Sequence, residues 1–308
     1  MTDIAQMIKY DPKSMSFTLE ADALEWADNA ITTYTKERQW GLFAEQVGRL
    51  VNLNLPYVSY VPAMYDVQRV ATAPNQPRVS KVDYVGAARV SSPTNTSTYV
   101  RATHTFVEPT IEFIEGGGWY HMRDSRYMGW NGAMEVAKQI SWEMAKKLDT
   151  WLGTILDAAI PMGNTDTITA LDFDTFRGVV ADAEAAGYPV SRAILAKSRA
   201  MDTADWGTAN VTWLWGQAPA QFANQVVTQG YISDFMGISM QQFSNSISGA
   251  TIYFFGNPAE YGRELLLVGP EQTLTDDDID NKTVRFNMEQ LYWQTTASAA
   301  DVWKLTVS

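Results

Sequence analysis

Between Asn131 and Ile160 apolar residues return at helical spacing: Ile140, Met144, Leu148, Trp151 and Ile155 step by 4, 4, 3 and 4. That is a single stripe on an α-helix. About 30 residues at 1.5 Å each make a rod of roughly 45 Å, longer than most helices of compact domains. Glu143 and Lys147 stand four apart on its surface and Pro161 ends it. A coiled coil would show a similar stripe, but the heptad is sustained for too few turns and Gly153 interrupts it. A rod with one apolar side needs a layer of its own length to lie on. The expectation is a spine helix packed along a sheet.

The stretch 66–101 differs in kind. It is rich in Val, Thr, Ser, Tyr, Pro and Asn, and it alternates around Arg78–Val85 and again around Thr98–Arg101. Pro74, Pro77 and Pro93, with Asn75 and Asn95, supply turn chemistry. The pattern predicts a long two-stranded excursion with few residues able to form a core of their own. Its charges are Arg69, Arg78, Lys81, Arg89 and Arg101 against Asp66 and Asp83. The segment therefore carries +3 within a chain of net charge −12, leaving −15 for the remainder. An isolated two-stranded hairpin is marginal in water. A basic hairpin on an acidic body therefore calls for docking onto something acidic, and another copy of the same chain is the simplest candidate. The alternative is a solvent loop with incidental charges.

Elsewhere the chain divides by pattern. Residues 1–18 show no clean period and read as an extended arm. From Ala21 to Val51 the spacing is helical, through Leu24, Ala27, Ile31, Tyr34, Trp40, Phe43 and Val47, with Pro56 closing the segment. Ala102–Ile114 continues in a strand pattern that Gly116–Gly118 should break as a hinge or tight turn. Beyond Gly163 the pattern turns to mixed α/β. Asp172 is the expected N-cap and Gly187 the C′ residue of a helix whose buried face is Phe176, Val179, Val180 and Ala183. Ala193–Ala196 reads as a short buried strand. Thr251–Phe255 and Leu265–Val268 read as central strands, and Val284–Asn287 with Val302–Val307 as closing ones. No repeat is present.

Composition removes most chemistry. With no cysteine there are no disulfides, thiolate metal sites, iron–sulfur clusters or cysteine nucleophiles. His104 and His121 lie 17 positions apart, which rules out an HExxH helix. The opening residues lack a basic n-region and a continuous apolar stretch, and no run approaches the roughly 20 apolar residues of a membrane-crossing helix. An acidic chain is also poorly suited to wrapping nucleic acid, because phosphate binding needs cations.

The remaining candidates are weak. Asp276, Asp278 and Asp280 match positions one, three and five of a calcium loop, but position twelve is Asn287 and not a bidentate glutamate. No G-x-S-x-G elbow, phosphate loop or dinucleotide fingerprint occurs. His104 in Ala102–Phe106 reads as a sheet residue. Glu108, Glu112 and Glu115 are the nearest carboxylate cluster, and a solvated strand face accounts for them. Trp206, Trp213 and Trp215 have Asp205, Asn210 and Gln217 as neighbours rather than cations, which favours a core or subunit contact over a base-stacking platform. No catalytic residue, cofactor or metal is assigned.

The order of these parts resembles a known family. The stretches Gly230–Met240, Thr251–Phe255, Tyr261–Pro270 and Ala300–Val307 are similar to those of the major capsid proteins of tailed bacteriophages, the Hong Kong 97-type fold. The motifs are loose; their order along nearly the whole chain carries the resemblance. It implies an α+β fold with an N-terminal arm (1–20), an N-terminal helix and connection (21–65) and an extended two-stranded loop (66–101). A peripheral domain (102–164 and 284–308) with its spine helix (131–160) and a mixed α/β axial domain (165–283) complete it. It further implies a protein that is not an enzyme and self-assembles into hexamers and pentamers of an icosahedral shell around double-stranded DNA, without sequence-specific binding and without a membrane. Assembly would take place in the host cytoplasm, and the product would be the virion capsid. A separate scaffolding protein, a portal and decoration proteins are partners the family suggests. Some members join a loop lysine to a neighbour's asparagine with the help of a carboxylate, and Lys81 is the one lysine of 66–101 that could donate. Inter-subunit contacts are expected at Arg69, Arg78, Lys81, Arg89 and Arg101. Two other readings stay open: an encapsulin-type protein compartment of the same fold class, and a soluble α/β enzyme that uses carboxylates.

Overall fold

The computed structural model describes residues 8–11, 16–19, 21–71, 79–83, 103–121, 130–202, 234–235, 237–242, 249–278 and 282–308. Where one helical pattern runs from Ala21 to Val51, the structure has two helices, α1 (Ala21–Lys36) and α2 (Trp40–Val58). Arg38 lies between them with a φ of 57°, a left-handed value that an α-helix cannot contain. Pro56 sits inside α2 and does not close it. Ala27 and Ile31 of α1 and Phe43, Val47, Leu50 and Val51 of α2 are buried in a common core. A short helix, α3 (Val61–Met64), follows.

The rod is α4, Trp130–Ala159, 30 residues in a single helix. Ile140, Met144 and Leu148 are buried as their spacing requires. The buried line then runs on through Leu152 and Leu156, while Trp151 and Ile155 sit half-buried at its flank. Gly153 is where a neighbour comes close: a Cβ there would stand 2.7 Å from the Tyr60 hydroxyl. That hydroxyl donates to the carbonyl of Asp149 at 2.6 Å. Its neighbour in sequence, Ser59, donates from Oγ to the carboxylate of the same Asp149, which is buried, at 2.5 Å. The segment before α3 is thus fastened along the long helix by polar contacts sealed from water, where a hydrogen bond is electrostatically strong.

Helices α2 and α4 cover one face of a four-stranded sheet. Its order is β3 (Asp66–Val70), β12 (Arg263–Asp278), β13 (Thr283–Thr296) and β6 (Thr110–His121). The hairpin β12–β13 is antiparallel with a register shift between Val268 and Gln272, β6 is antiparallel to β13, and β3 runs parallel to β12. Strand β6 passes straight through Gly116–Gly118, so the three glycines do not form the expected turn. Gly116 is buried against α4, where a Cβ would meet Met144 Cγ at 2.4 Å and Ile140 Cγ2 at 3.0 Å. Its missing side chain lets the helix approach the sheet.

The second sheet has six strands in the order β7 (Thr165–Ile168), β14 (Trp303–Val307), β11 (Thr251–Phe255), β8 (Arg192–Leu195), β10 (Ile238–Gln242), β9 (Asp234–Phe235). Period-two alternation splits its strands between two cores. Ile252 and Phe254 of β11 and Ala193 and Leu195 of β8 pack with Phe176, Val179 and Val180 of α5 (Phe173–Ala185). Tyr253, Phe255 and Ile194 point the other way, into the core shared with α4 and the four-stranded sheet. Helix α5 is capped as its sequence predicts. The Asp172 carboxylate accepts from Thr175 N at 2.7 Å, and Gly187 takes a φ of 86° just past the end. A further short helix, α6, spans Lys197–Asp202.

These pairings redraw the expected division of the chain. Residues 263–278, placed by pattern with the axial part, belong to the four-stranded sheet. Residues 303–307, placed with the peripheral part, are an inner strand of the six-stranded one. Thr251–Phe255 and Leu265–Val268, consecutive along the chain, therefore lie in different sheets. Partner choice is non-local, and every one of these strands carries the same short apolar pattern. Where the chain crosses from one sheet to the other, the buried Arg263 donates from Nε to the Met64 carbonyl at 3.0 Å and from Nη1 to the Asp301 carboxylate. Asp301 also accepts from Gly256 N at 3.2 Å. A second tie lies nearer the surface. Asp157 of α4 accepts from the Tyr253 hydroxyl at 2.9 Å and from Lys304 Nζ at 2.6 Å. Charged contacts at two depths thus tie β12 to the turn before β14, and α4 to the six-stranded sheet.

Candidate inter-subunit surface

Two further two-stranded pieces stand apart from the main sheets. β1 (Ile8–Asp11) pairs antiparallel with β2 (Ser16–Leu19), and β4 (Val79–Asp83) pairs antiparallel with β5 (Thr103–Val107). Val79–Asp83 of the expected excursion thus pairs with Thr103–Val107, which lies beyond its expected bounds. Asp66–Val70 leaves it to become the edge strand β3 of the four-stranded sheet, and Thr103–Val107, expected to run on with Ile111–Ile114, enters it. Glu108 and Pro109 separate β5 from β6. Of the five expected contact residues, Arg69 is exposed on β3 and has an interaction within the chain. Lys81 is the central residue of β4, opposite Thr105. Arg78, Arg89 and Arg101 lie outside the described residues.

The four-stranded sheet has a second face, turned away from the helices. On β6 it carries Ile111, Phe113, Glu115, Gly117, Trp119 and His121, alternate residues of one strand. Register places Trp293, Leu291, Glu289, Asn287, Arg285 and Thr283 of β13 opposite them in that order. Phe113 is 62% exposed and Trp119 61%, and Ile111 next to the buried Trp293 is 47% exposed. The Trp119 ring meets the His121 ring edge-on at 5.3 Å between centroids. Between the aromatic ends lie two carboxylates directly across from each other, Glu115 and Glu289. Asn287 Nδ2 donates to Glu115 Oε2 and to Glu289 Oε1, each at 3.5 Å. Gly117, opposite Asn287, offers no side chain there. In the sequence Glu115 reads only as part of a solvated strand face and Asn287 as the end of a strand and a failed calcium-loop position, while nothing local singles out Glu289, because their meeting depends on the β6–β13 register.

The other sequence candidates do not converge. Glu112 and Glu115, three apart on one strand, point to opposite faces, and Glu108 precedes the strand. His104 lies on β5 opposite Val82, in a different sheet from Glu112 and Glu115. Asp276 and Asp278 lie within β12, paired with Arg285 and Thr283, not in a loop that could wrap an ion; Asp280 lies outside the described residues. Among the described residues no group of three or more acidic or imidazole side chains is placed to hold a metal. Trp206, Trp213 and Trp215 lie outside the described residues. No described helix is long and apolar enough to cross a membrane.

No family model and no curated protein sequence matches the chain. Solved structures do. A chain of Microbacterium phage Oxtober96 aligns with a TM-score of 0.55 at 16% identity, over 81% of this chain and 90% of that one. The capsid structure of the cyanophage P-SCSP1u aligns at 0.53 and 10% identity, over 80% and 86%. The virus-like particle from Pyrococcus furiosus aligns at 0.50 and 10%, over 85% and 98%. A long helix on a four-stranded sheet, joined to a mixed α/β lobe, is an α+β architecture shared with those chains. It is the Hong Kong 97-type capsid fold.

Proposed function

We propose that this chain is the major capsid protein of a tailed double-stranded DNA phage, building an icosahedral shell from hexamers and pentamers of itself. The observation that carries the reading is the extent of the likeness: four-fifths of this chain aligns with 86% of a cyanophage capsid chain in one arrangement of elements. The site chemistry agrees. The described residues of β6 expose apolar and charged strand surface, the material of contacts between copies.

In this reading residues 1–20 are an arm, 21–65 a helical base, the stretch around β4 and β5 the extended loop, α4 with the four-stranded sheet the peripheral part, and the six-stranded sheet with α5 the axial part. The loop reaches a neighbouring copy through Arg78, Lys81, Arg89 and Arg101, with Arg69 at the sheet edge beside it. The +3 segment on a −15 remainder supplies complementary potentials that set register between copies. The acidic wall keeps packaged DNA from adhering, so the genome is held without sequence-specific contacts. A portal, a separate scaffolding protein and decoration proteins are the further partners of such a shell.

Expressing the chain alone and imaging the product by negative stain tests this: polyhedral particles or hexamer rings are expected, and a monodisperse monomer at high concentration overturns it. The alignment covering 98% of the Pyrococcus furiosus particle chain favours one second reading, a compartment that encloses protein. Particles purified from cells that contain nuclease-protected DNA support the capsid, and particles holding a single protein cargo support the compartment.

A further inference from the structure

Two stretches carry the chain from one sheet to the other side by side: 256–262 leads from β11 to β12, and 297–302 from β13 to β14. Ala297 N donates to the Gly262 carbonyl at 3.1 Å and Ser298 N to the Tyr261 carbonyl at 3.0 Å. One carboxylate of the second crossing holds both ends of the first. Asp301 accepts from Gly256 N where that crossing begins and from Arg263 Nη1 where it ends. Arg263 reaches further, from Nε to the Met64 carbonyl at the C-terminal end of α3. The carbonyl before it, on Ala63, accepts from Arg192 Nη1 of β8 at 3.2 Å. Two arginines, one from each sheet, thus clasp the same helix end, where the last carbonyls have no partner within the helix.

The site is closely built. Arg263 and Asp301 are both wholly buried. The guanidinium carbon lies 6.0 Å from the Phe255 ring centre and 5.9 Å from that of Tyr261. A Cβ on Gly256 would stand 2.9 Å from the Pro189 carbonyl, so the crossing begins where only glycine fits. A buried pair of this kind adds little net stability, because taking two charges out of water costs about what their attraction returns. What it does supply is direction. A guanidinium bonds along fixed lines, whereas apolar contact has none. We infer that Arg263 and Asp301, with Arg192, form a positioning clasp that holds the two sheets at one angle in the free chain. Where the shell reading above holds, copies set in this way offer their neighbours one geometry, as closed rings require.

Distances between the two sheets test it. The chain has no cysteine, so Glu112→Cys on β6 and Asp182→Cys on α5, both exposed, become the only attachment points for spin labels. Pulsed electron paramagnetic resonance on the unassembled, labelled chain should give one narrow distance distribution. Adding R263M/D301L, which replaces the charges by apolar side chains of similar length, should leave a folded chain and widen that distribution by about twofold or more. Arg192 is only half-buried, so R192M should also fold, and it should widen the distribution by a smaller factor. The R192M result decides if the double variant does not fold. A folded R263M/D301L chain with the parent's narrow distribution overturns the clasp, as does a parent distribution that is already broad. A wild-type chain that never assembles overturns the shell reading alone and leaves this inference to the label distances.

Discussion

A Cβ on Gly116 would come 2.4 Å from Met144 Cγ and 3.0 Å from Ile140 Cγ2. Met144 is flexible, but it is buried in a packed core. Gly116→Ala should therefore cost about 1–3 kcal/mol through overpacking, read as a lower melting temperature. The companion substitution Met144→Ala should cost less in that chain than in the wild type, the mark of two contacting positions. Arg263 and Asp301 are a different case, two charges with no solvent exposure. Burial pushes the Asp301 carboxyl above its ordinary value, opposed by the pull of Arg263. Asp301→Ala leaves the guanidinium buried without its carboxylate and should cost about 3–5 kcal/mol in chemical denaturation. Asp172 shifts the other way: its hydrogen bonds to Thr175 hold the carboxyl below the ordinary value. Its contribution to stability is complete above the unfolded pKa of 3.8 and is lost as pH falls through the folded value. Asp172→Ala should cost about 1 kcal/mol near neutrality and nothing at acid extremes, a difference visible in paired denaturation curves at the two pH values.

Strands β4 and β5 form a sheet of two, and two strands in water are marginal. Amide exchange at 79–83 and 103–107 should be fast in the unassembled chain and slow in assembled particles, and equal exchange in both states would separate this ribbon from subunit contact. Helices were the more legible elements. The α4 stripe and the α5 cap follow from local spacing, because a helix settles its hydrogen bonds within itself. Strands were legible as segments but not as partners. Leu265–Val268 and Thr251–Phe255 carry equivalent apolar runs and join different sheets, and the Gly116–Gly118 run looks like a turn until a helix is placed over it. The acidic pair on the outer face was hidden for the same reason: Glu115 and Glu289 are 174 positions apart and meet only through register.

At the scale of the molecule, the proposed shell would be drawn together by a +3 excursion on a chain of net charge −12, an attraction that is long-ranged and salt-sensitive. Assembly rates should fall as sodium chloride is raised from roughly 50 mM to 500 mM, where screening shortens to a few ångströms. Light scattering would follow this directly, and rates that rise with salt would assign the driving force to apolar burial alone. In the six-stranded sheet, β7 has β14 as its neighbour, and β14 in turn closes against β11. Residues 165–168 therefore wait, during synthesis, for residues 303–307 to leave the ribosome before finding their hydrogen-bonding partner. A polypeptide without residues 303–307 would leave β7 and β11 with open edges facing one another across the gap, so the sheet is closed by a segment made about 50 residues after the strand it pairs with at β11 and about 135 after β7.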